Sequence, residues 1–519
     1  MEWMIRGTGS DRVNAEDAVA ACPAARAALR VQLPRAAAIA CAALTVALLS
    51  GCVDVSMQAY KRPETPEKTN WSSSNAITVS AADTISPDWW KAFGDPELNG
   101  LIERAITGNF DIKSLASRIR VANAEIAEAH AGELPTADLG AGVNYQKVTG
   151  QTFTKQYNAA GQVNWDIDIW GAVQKGVEAQ QAEFHATEAD WRAGYLMLVS
   201  NVSTTYFQVL QFDDQISQQQ VTLDKNRQMA SILDGMSQTG LVPKTQVLQQ
   251  RAEVNRLTTN LIDLKRSRDL ANNALATLIG APAGTFQLPS GHLQQRVQLP
   301  AVPAGLPSQM LARRPDIVAA EFRVLEAYKL THSAKLAQLP TVSLTGHGGT
   351  SSFALSDLLK SFTYGFMPSI DIPLLDPAVR AHVKTTEAQT EVAEHDYQRT
   401  VMTAFQDVEN ALVNIDADRK ERAEIQQQVD QLRVVAAQVE AQLKEGVVSQ
   451  LEVFEAERSL LAAEQQLLTN HAQSLSDTVL LYQALGGGWQ AVDVGPAALA
   501  AAPTESPANA APKNAPQIR

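Results

Sequence analysis

Few groups of residues in this 519-residue chain have types and spacings that could do chemistry. Leu49-Ser50-Gly51-Cys52 sets small residues ahead of a cysteine, directly after an apolar run. That resembles the bacterial lipobox, in which the cysteine is acylated and becomes residue one, so Cys52 is the expected acylation site. Leu451, Glu455 and Arg458 are spaced by four and three, so on a helix they share one face. Taken alone, the acid and base read as a solvated surface pair. Asp166-Ile167-Asp168-Ile169-Trp170-Gly171 imitates the start of a calcium loop, but Trp170 offers no side-chain oxygen and Val177 stands where a bidentate glutamate belongs. Gly486-Gly487-Gly488 lacks the lysine and serine or threonine of a phosphate loop. The 8 histidines are scattered singly, and no nucleophile motif is present. The expectation is a protein with no catalytic group, no metal site and no cofactor.

The elements that position these residues begin with the leader. Arg26, Arg30 and Arg35 precede an uncharged run from Ala36 to Leu49. At about 14 residues it is too short to span a bilayer and suits the core of a signal peptide. Val53, not aspartate, follows Cys52, which favours sorting to the outer membrane by analogy with bacterial lipoproteins. The stretch before Arg26 is long and mixed in charge for a leader, as a start codon set too far upstream would make it. Cys22 and Cys41 leave with the leader, so the mature chain keeps only the anchor cysteine, with no disulfide or thiolate metal site. The net charge of -13 and the want of a basic patch interleaved with aromatics argue against nucleic acid as a partner.

The rest of the chain is written twice. Asn109-Phe110-Asp111-Ile112 is echoed by Arg314-Pro315-Asp316-Ile317, Leu134-Pro135-Thr136 by Leu339-Pro340-Thr341, and Gly240-Leu241-Val242 by Gly446-Val447-Val448. The near-constant offset, about 205 residues, marks an internal duplication. Each half reads as a helix, two strands, a very long helix, a sharp turn and a returning helix. Leu139, Ala141, Val143 and Tyr145 alternate with Gly140, Gly142, Asn144 and Gln146, and Val163, Trp165 and Ile167 with Gln162, Asn164 and Asp166. In the second half Phe362, Tyr364, Phe366 and Ile370 alternate with Thr363, Gly365 and Asp371. One face is apolar and the other strongly polar, as in a membrane barrel with a wet lumen. Four strands cannot close such a barrel, and unpaired edges are not tolerated in lipid, so several chains must share one.

Between Ala378 and Glu445 there is neither proline nor glycine. This run of about 68 residues would make roughly 100 Å of helix, too long for a compact domain. Val401, Phe405, Val408, Leu412 and Ile415 step by four and three along it, and Tyr195, Val199, Val202, Tyr206 and Val209 do so in the first half. Such a seam predicts coiled-coil packing with neighbouring helices. The glycine turns end the long helices, and Ser449-Gln450-Leu451-Glu452 reads as a capping box for the return.

Strand pairs, long helical hairpins and a lipid anchor together make the chain resemble the TolC-type outer-membrane factor family, in its lipoprotein branch of OprM- and NodT-like channels. The resemblance runs from Cys52 to Trp489 and is most specific at Tyr482-Gln483-Ala484-Leu485-Gly486-Gly487-Gly488-Trp489 and at the two glycine turns. It implies a mainly α fold with a membrane β-barrel: a homotrimer with a twelve-stranded barrel in the outer membrane and an α-helical barrel in the periplasm. It further implies an exit duct of a tripartite efflux system, with a periplasmic adaptor and a resistance-nodulation-division pump in the inner membrane. The adaptor would dock at Gly240, Leu241, Val242, Gly446, Val447 and Val448, and the periplasmic gate would lie at Leu451, Glu455 and Arg458. Two departures bear on the gate: Glu455 replaces the family's usual aspartate, and Gln249 is the uncharged first-half counterpart.

The domain reading is a leader over 1–51, a lipidated segment over 52–95, a first repeat over 96–300 and a second over 301–489, then a disordered tail rich in alanine and proline over 490–519. Strands are expected at about 136–148, 155–169, 340–350 and 361–373. Alternatives are a duct for type I protein secretion and a periplasmic coiled-coil scaffold lipoprotein that never inserts. A cell-wall enzyme is opposed by the want of any catalytic grouping. Cargo is not legible in the sequence.

Overall fold

The computed structural model describes residues 59–66, 68, 71, 72, 85–150, 152–301 and 313–487. The leader, Cys52 and the tail from position 490 lie outside the described residues. Helix α1 (Pro96–Gly108) starts where the Asp95 carboxylate accepts from the Glu97 amide at 2.9 Å and Pro96 presets the first turn. Helix α2 (Phe110–Ala131) starts at Asn109, whose Oδ1 accepts from the amides of Asp111 and Ile112. Two strands follow, β1 (Thr136–Gln146) and β2 (Thr154–Ile167), then the long α3 (Ala172–Gln238) and the returning α4 (Lys244–Leu278). The second half repeats the order with α5 (Pro315–Leu336), β3 (Thr341–Ser352), β4 (Phe362–Asp371), α6 (Pro377–Lys444) and α7 (Gln450–Ala484). Its first helix has Arg314 where Asn109 stood; Pro315 opens the turn and the Asp316 carboxylate binds both the Ile317 amide and the Arg314 guanidinium.

Helices α3 and α6 have 67 and 68 residues, so each is about 100 Å long. Strand β2 stops at Ile167, short of position 169, because the Asp168 carboxylate turns to cap α3, accepting from Ala172 at 2.7 Å and Gln174 at 2.9 Å. The calcium-like sequence is therefore a strand end entering a helix. Strand β4 stops at Asp371, two residues before Pro373, which has no amide hydrogen to donate.

The four strands form one antiparallel sheet in the order β1-β2-β3-β4. Its register sets Val143 opposite Tyr157, Trp165 opposite Leu344, Val342 opposite Ile370 and Gly348 opposite Tyr364 on one face. The other face carries Asn164 opposite Thr345 and Ser343 opposite Ser369, joined by side-chain hydrogen bonds of 3.2 and 2.6 Å. Leu139, Phe366 and Tyr364 stay largely exposed, and among the described residues the outer edges of β1 and β4 have no strand beside them.

The helices form a layer around the two long ones. Helix α3 packs against α2, α4, α5 and α7, while α6 packs against α5 and α7. The flank of α6 and the outer sides of α2 and α4 are uncovered, leaving Val121, Leu248, Ile262, Val392, Met402 and Val413 exposed. The main core sits around mid-length of the long helices. Val199, Val202, Tyr206 and Val209 of one seam join Val401, Phe405, Val408 and Leu412 of the other, with Tyr195 and Ile415 at its margin. Trp71, Trp89, Trp90 and Phe93, from before α1, complete it.

Candidate functional site

The glycine turns at the far ends of the long helices are built alike. Gly240 and Gly446 have φ of 74° and 72°, the left-handed region where a side chain would be strained. Around Gly240 the Leu241 amide donates to the Met236 carbonyl at 2.8 Å; around Gly446 the Val447 amide donates to the Gln442 carbonyl at 3.0 Å. These bonds satisfy the last carbonyls of each helix and aim the next residue outward. Leu241 is 71% and Val447 69% exposed, while Val242 and Val448 are half-buried. Each turn thus leaves a large apolar side chain in water at its tip. Pro243 stands just before α4 as its cap, and Ser449 with Glu452 forms a complete capping box at α7.

One turn into α7 the three predicted gate residues lie together on its exposed side. Arg458 donates to Glu455 at 2.6 Å, with side chains 57% and 54% exposed, and Leu451 is 55% exposed. Gln450, Val453 and Leu461 carry the buried side of the same helix. Sequence reading missed two neighbours. Arg256 of α4 lies close enough for the Glu455 charge to help hold its guanidinium protonated, after its larger bond to Glu253. Glu457, whose carboxyl burial holds above the usual range, accepts from Asn226 at 3.3 Å, and Asn226 in turn accepts from Gln250.

A second group had no sequence prediction. Asp418 of α6 and Asp477 of α7 face each other with side chains almost wholly buried, 7% and 2% exposed. Burial, then the neighbouring Asp477, pushes the Asp418 carboxyl up to about 7. Asn414 and Gln473 donate to Asp477 at 3.3 and 3.0 Å, and Asp418 Oδ2 has no hydrogen-bond partner. Asp418 lies three residues past Ile415 and one short of the next seam position, Arg419, so the apolar spacing gave no signal for it. Among the described residues no group of three or more His, Cys, Asp or Glu side chains is arranged to hold a metal. No described helix is long and apolar enough to cross a membrane. The glycine run is a packing device: a methyl group on Gly487 would sit 2.4 Å from Leu196, and one on Gly486 2.9 Å from the Arg313 carbonyl.

Residues 101–281 and 306–487, the two halves of the duplication, match the family described as outer membrane efflux protein. The chain belongs to that family. Among relatives of this outer membrane efflux protein, SilC of Salmonella typhimurium, described as a probable outer membrane lipoprotein, is 29% identical over 86% of the chain and 97% of its own length. The pyoverdine export outer membrane protein OpmQ of Pseudomonas putida is 30% identical over 80% of this chain and 91% of its own. A crystal structure of CusC, from work on its folding and transmembrane channel formation, superposes with a TM-score of 0.72 at 26% identity, covering 83% of this chain and 99% of that one. The strand pairs and helical hairpins described above are therefore those of an outer-membrane efflux channel, with the helices forming the tunnel and the sheet its share of the barrel.

Proposed function

We propose that three copies of this chain make one passive exit duct, without catalysis of its own, anchored to the outer membrane by acylated Cys52. The observation that carries the reading is the 4-stranded sheet with an apolar face, a polar face and two open edges, continuous with a long helical layer whose flanks are also open. Three such sheets give twelve strands, enough to close the edges around a wet lumen; two would give eight, whose interior side chains fill. The exposed apolar side chains on the flanks of α2, α4 and α6 then meet their neighbours, and the helices close into a tunnel.

The glycine tips dock the periplasmic adaptor through Leu241 and Val447, with Gly240, Val242, Gly446 and Val448 shaping the turns. Leu451, Glu455 and Arg458 line the narrow end and hold it shut until the adaptor and an inner-membrane pump engage it. The relatives are named for pyoverdine export and for cation efflux, which supports a duct whose cargo is chosen by the pump rather than by the tube.

The test is a cross-link between the open edges. A cysteine fixed at Tyr364 in β4 is combined with one scanned over positions 137–145 of β1. Oxidised membranes should give bands of two and three chains at one register. Bands of a single chain at every register would overturn the shared barrel.

A further inference from the structure

Where β4 hands over to α6, the surface is hollowed into a cavity of about 280 Å³ lined by Leu375, Pro377, Arg380, Ala381 and Lys384. Its two cations stand four apart on the first turns of α6, so they share a face. The pair costs stability, since like charges at that spacing repel and Arg380, in the first turn, opposes the helix dipole. Among the described residues the Arg380 guanidinium donates only to the Leu374 carbonyl, at 3.3 Å, and neither cation has a carboxylate partner. The acids nearest in sequence are engaged elsewhere: Asp376 is turned to the amides of Ala378 and Val379, and Glu387 pairs with Lys335 at 3.0 Å. Beside the cavity Leu374 is exposed, and Leu375 is 88% exposed.

The duplication supplies an internal comparison. The offset that takes Gly240 to Gly446 takes Gln174 to Arg380 and Glu178 to Lys384. In the first half the charge is thus reversed and fully used: Glu178 binds Lys175 at 2.6 Å and Lys329 at 2.7 Å. The strand-to-helix corner there is closed by Trp170, which donates to the Pro340 carbonyl at 2.7 Å. The second half keeps the same corner open, positive and bordered by leucines.

The geometry points to a binding site for an anionic phospholipid, with its phosphate between Arg380 and Lys384 and its chains lying across Leu374 and Leu375. This rests on the duct reading, which sets the foot of β4 at the boundary of lipid and water. Arg presents a fork to phosphate and Lys a point charge, so the pair grips the oxygens from two sides. The cavity is small for a whole lipid and fits a head group, and the apolar face of β4 runs through Phe366 and Ile370 straight into it. A free anion would use the cations and leave the leucines in water. A neighbouring subunit is the competing occupant.

The experiment uses the full-length protein extracted as its assembly, with subunit number and ion conductance recorded on the same preparation. Lipid retained after exchange into equal phosphatidylglycerol and phosphatidylcholine is counted by native mass spectrometry. Wild type should prefer phosphatidylglycerol, and the double variant Arg380→Gln, Lys384→Gln should lose that preference by about tenfold or more. Arg118→Gln with Arg120→Gln, on the surface of α2, should leave it unchanged. Inorganic phosphate should not displace the lipid; if it does so at millimolar concentration, the site takes free anions and the lipid assignment falls. If the double variant falls apart equally in both lipids, the cations serve the subunit interface and the proposal is overturned. A conducting trimer with no lipid preference would also overturn it while leaving the duct reading standing. An assembly that neither conducts nor holds three chains would instead strike the duct reading itself.

Discussion

The double variant Leu451→Ala, Arg458→Ala separates a gate from an ordinary solvated helix face. Within one chain these side chains do little for stability. The Arg458–Glu455 pair is more than half exposed, so losing it costs about 0.5 kcal/mol or less. Leu451 is 55% exposed, so truncation forfeits only part of the roughly 1.5–3 kcal/mol that full burial of a leucine is worth, about 1 kcal/mol. Together they should move the thermal midpoint by no more than about a few degrees. If these residues form the gate as proposed, the same changes act three times at one constriction in the trimer. The apolar ring loses its bulk, and three Glu455 carboxylates lose their nearest cation, leaving Arg256 of α4 as the base still in range. The closed state should loosen. Purified variant in planar bilayers should pass several times the wild-type current, and cells should become sensitive to large antibiotics that an intact outer membrane excludes. Adding Arg256→Ala should increase both effects. Wild-type currents and drug sensitivity, at equal amounts of assembled protein, would return these residues to the solvated face and refute the gate.

Three further outcomes follow from the same structure. Cys52→Ser should abolish incorporation of radiolabelled palmitate, and continued labelling would remove the anchor assignment. Trp89 is buried and stacked on Tyr482 at 4.9 Å, so Trp89→Ala should destabilise the protein by about 3–5 kcal/mol; a midpoint in denaturant unchanged from wild type would contradict that packing. The Asp418 carboxyl lies above its ordinary 3.8, at about 7, so the folded state holds the extra proton and this group's contribution to stability falls as pH rises from about 4 to 7. Asp418→Asn should raise stability above neutrality and flatten that slope, whereas an identical pH dependence in the variant would show that the carboxyl titrates normally.

The features carried by periodicity and punctuation were legible in the sequence. The strands keep a strict period of two because one face meets apolar surroundings and the other water. The long helices could be read to within a residue or so, since neither proline nor glycine interrupts α6 and glycine ends it. What stayed hidden depends on contacts between distant segments. Nothing local in Trp89-Trp90-Lys91-Ala92-Phe93 says that it packs on Tyr482, almost four hundred residues away. The end of β2 was set too late because Ile169 continues the apolar alternation, while the capping of α3 by Asp168 pulls the chain out of the sheet. At the proposed gate, helical spacing alone set Leu451, Glu455 and Arg458 on one face. Arg256 was missed because it lies on the other helix of the first hairpin, α4, nearly two hundred residues before Glu455.

The central claim is that one chain holds a third of a barrel, and the mass of the detergent-extracted assembly tests it most directly. Multi-angle light scattering with the detergent contribution subtracted should return three chains at every protein concentration at which the assembly survives, with the sheet retained. A folded monomer, stable in detergent with its β1 and β4 edges open, would contradict the account.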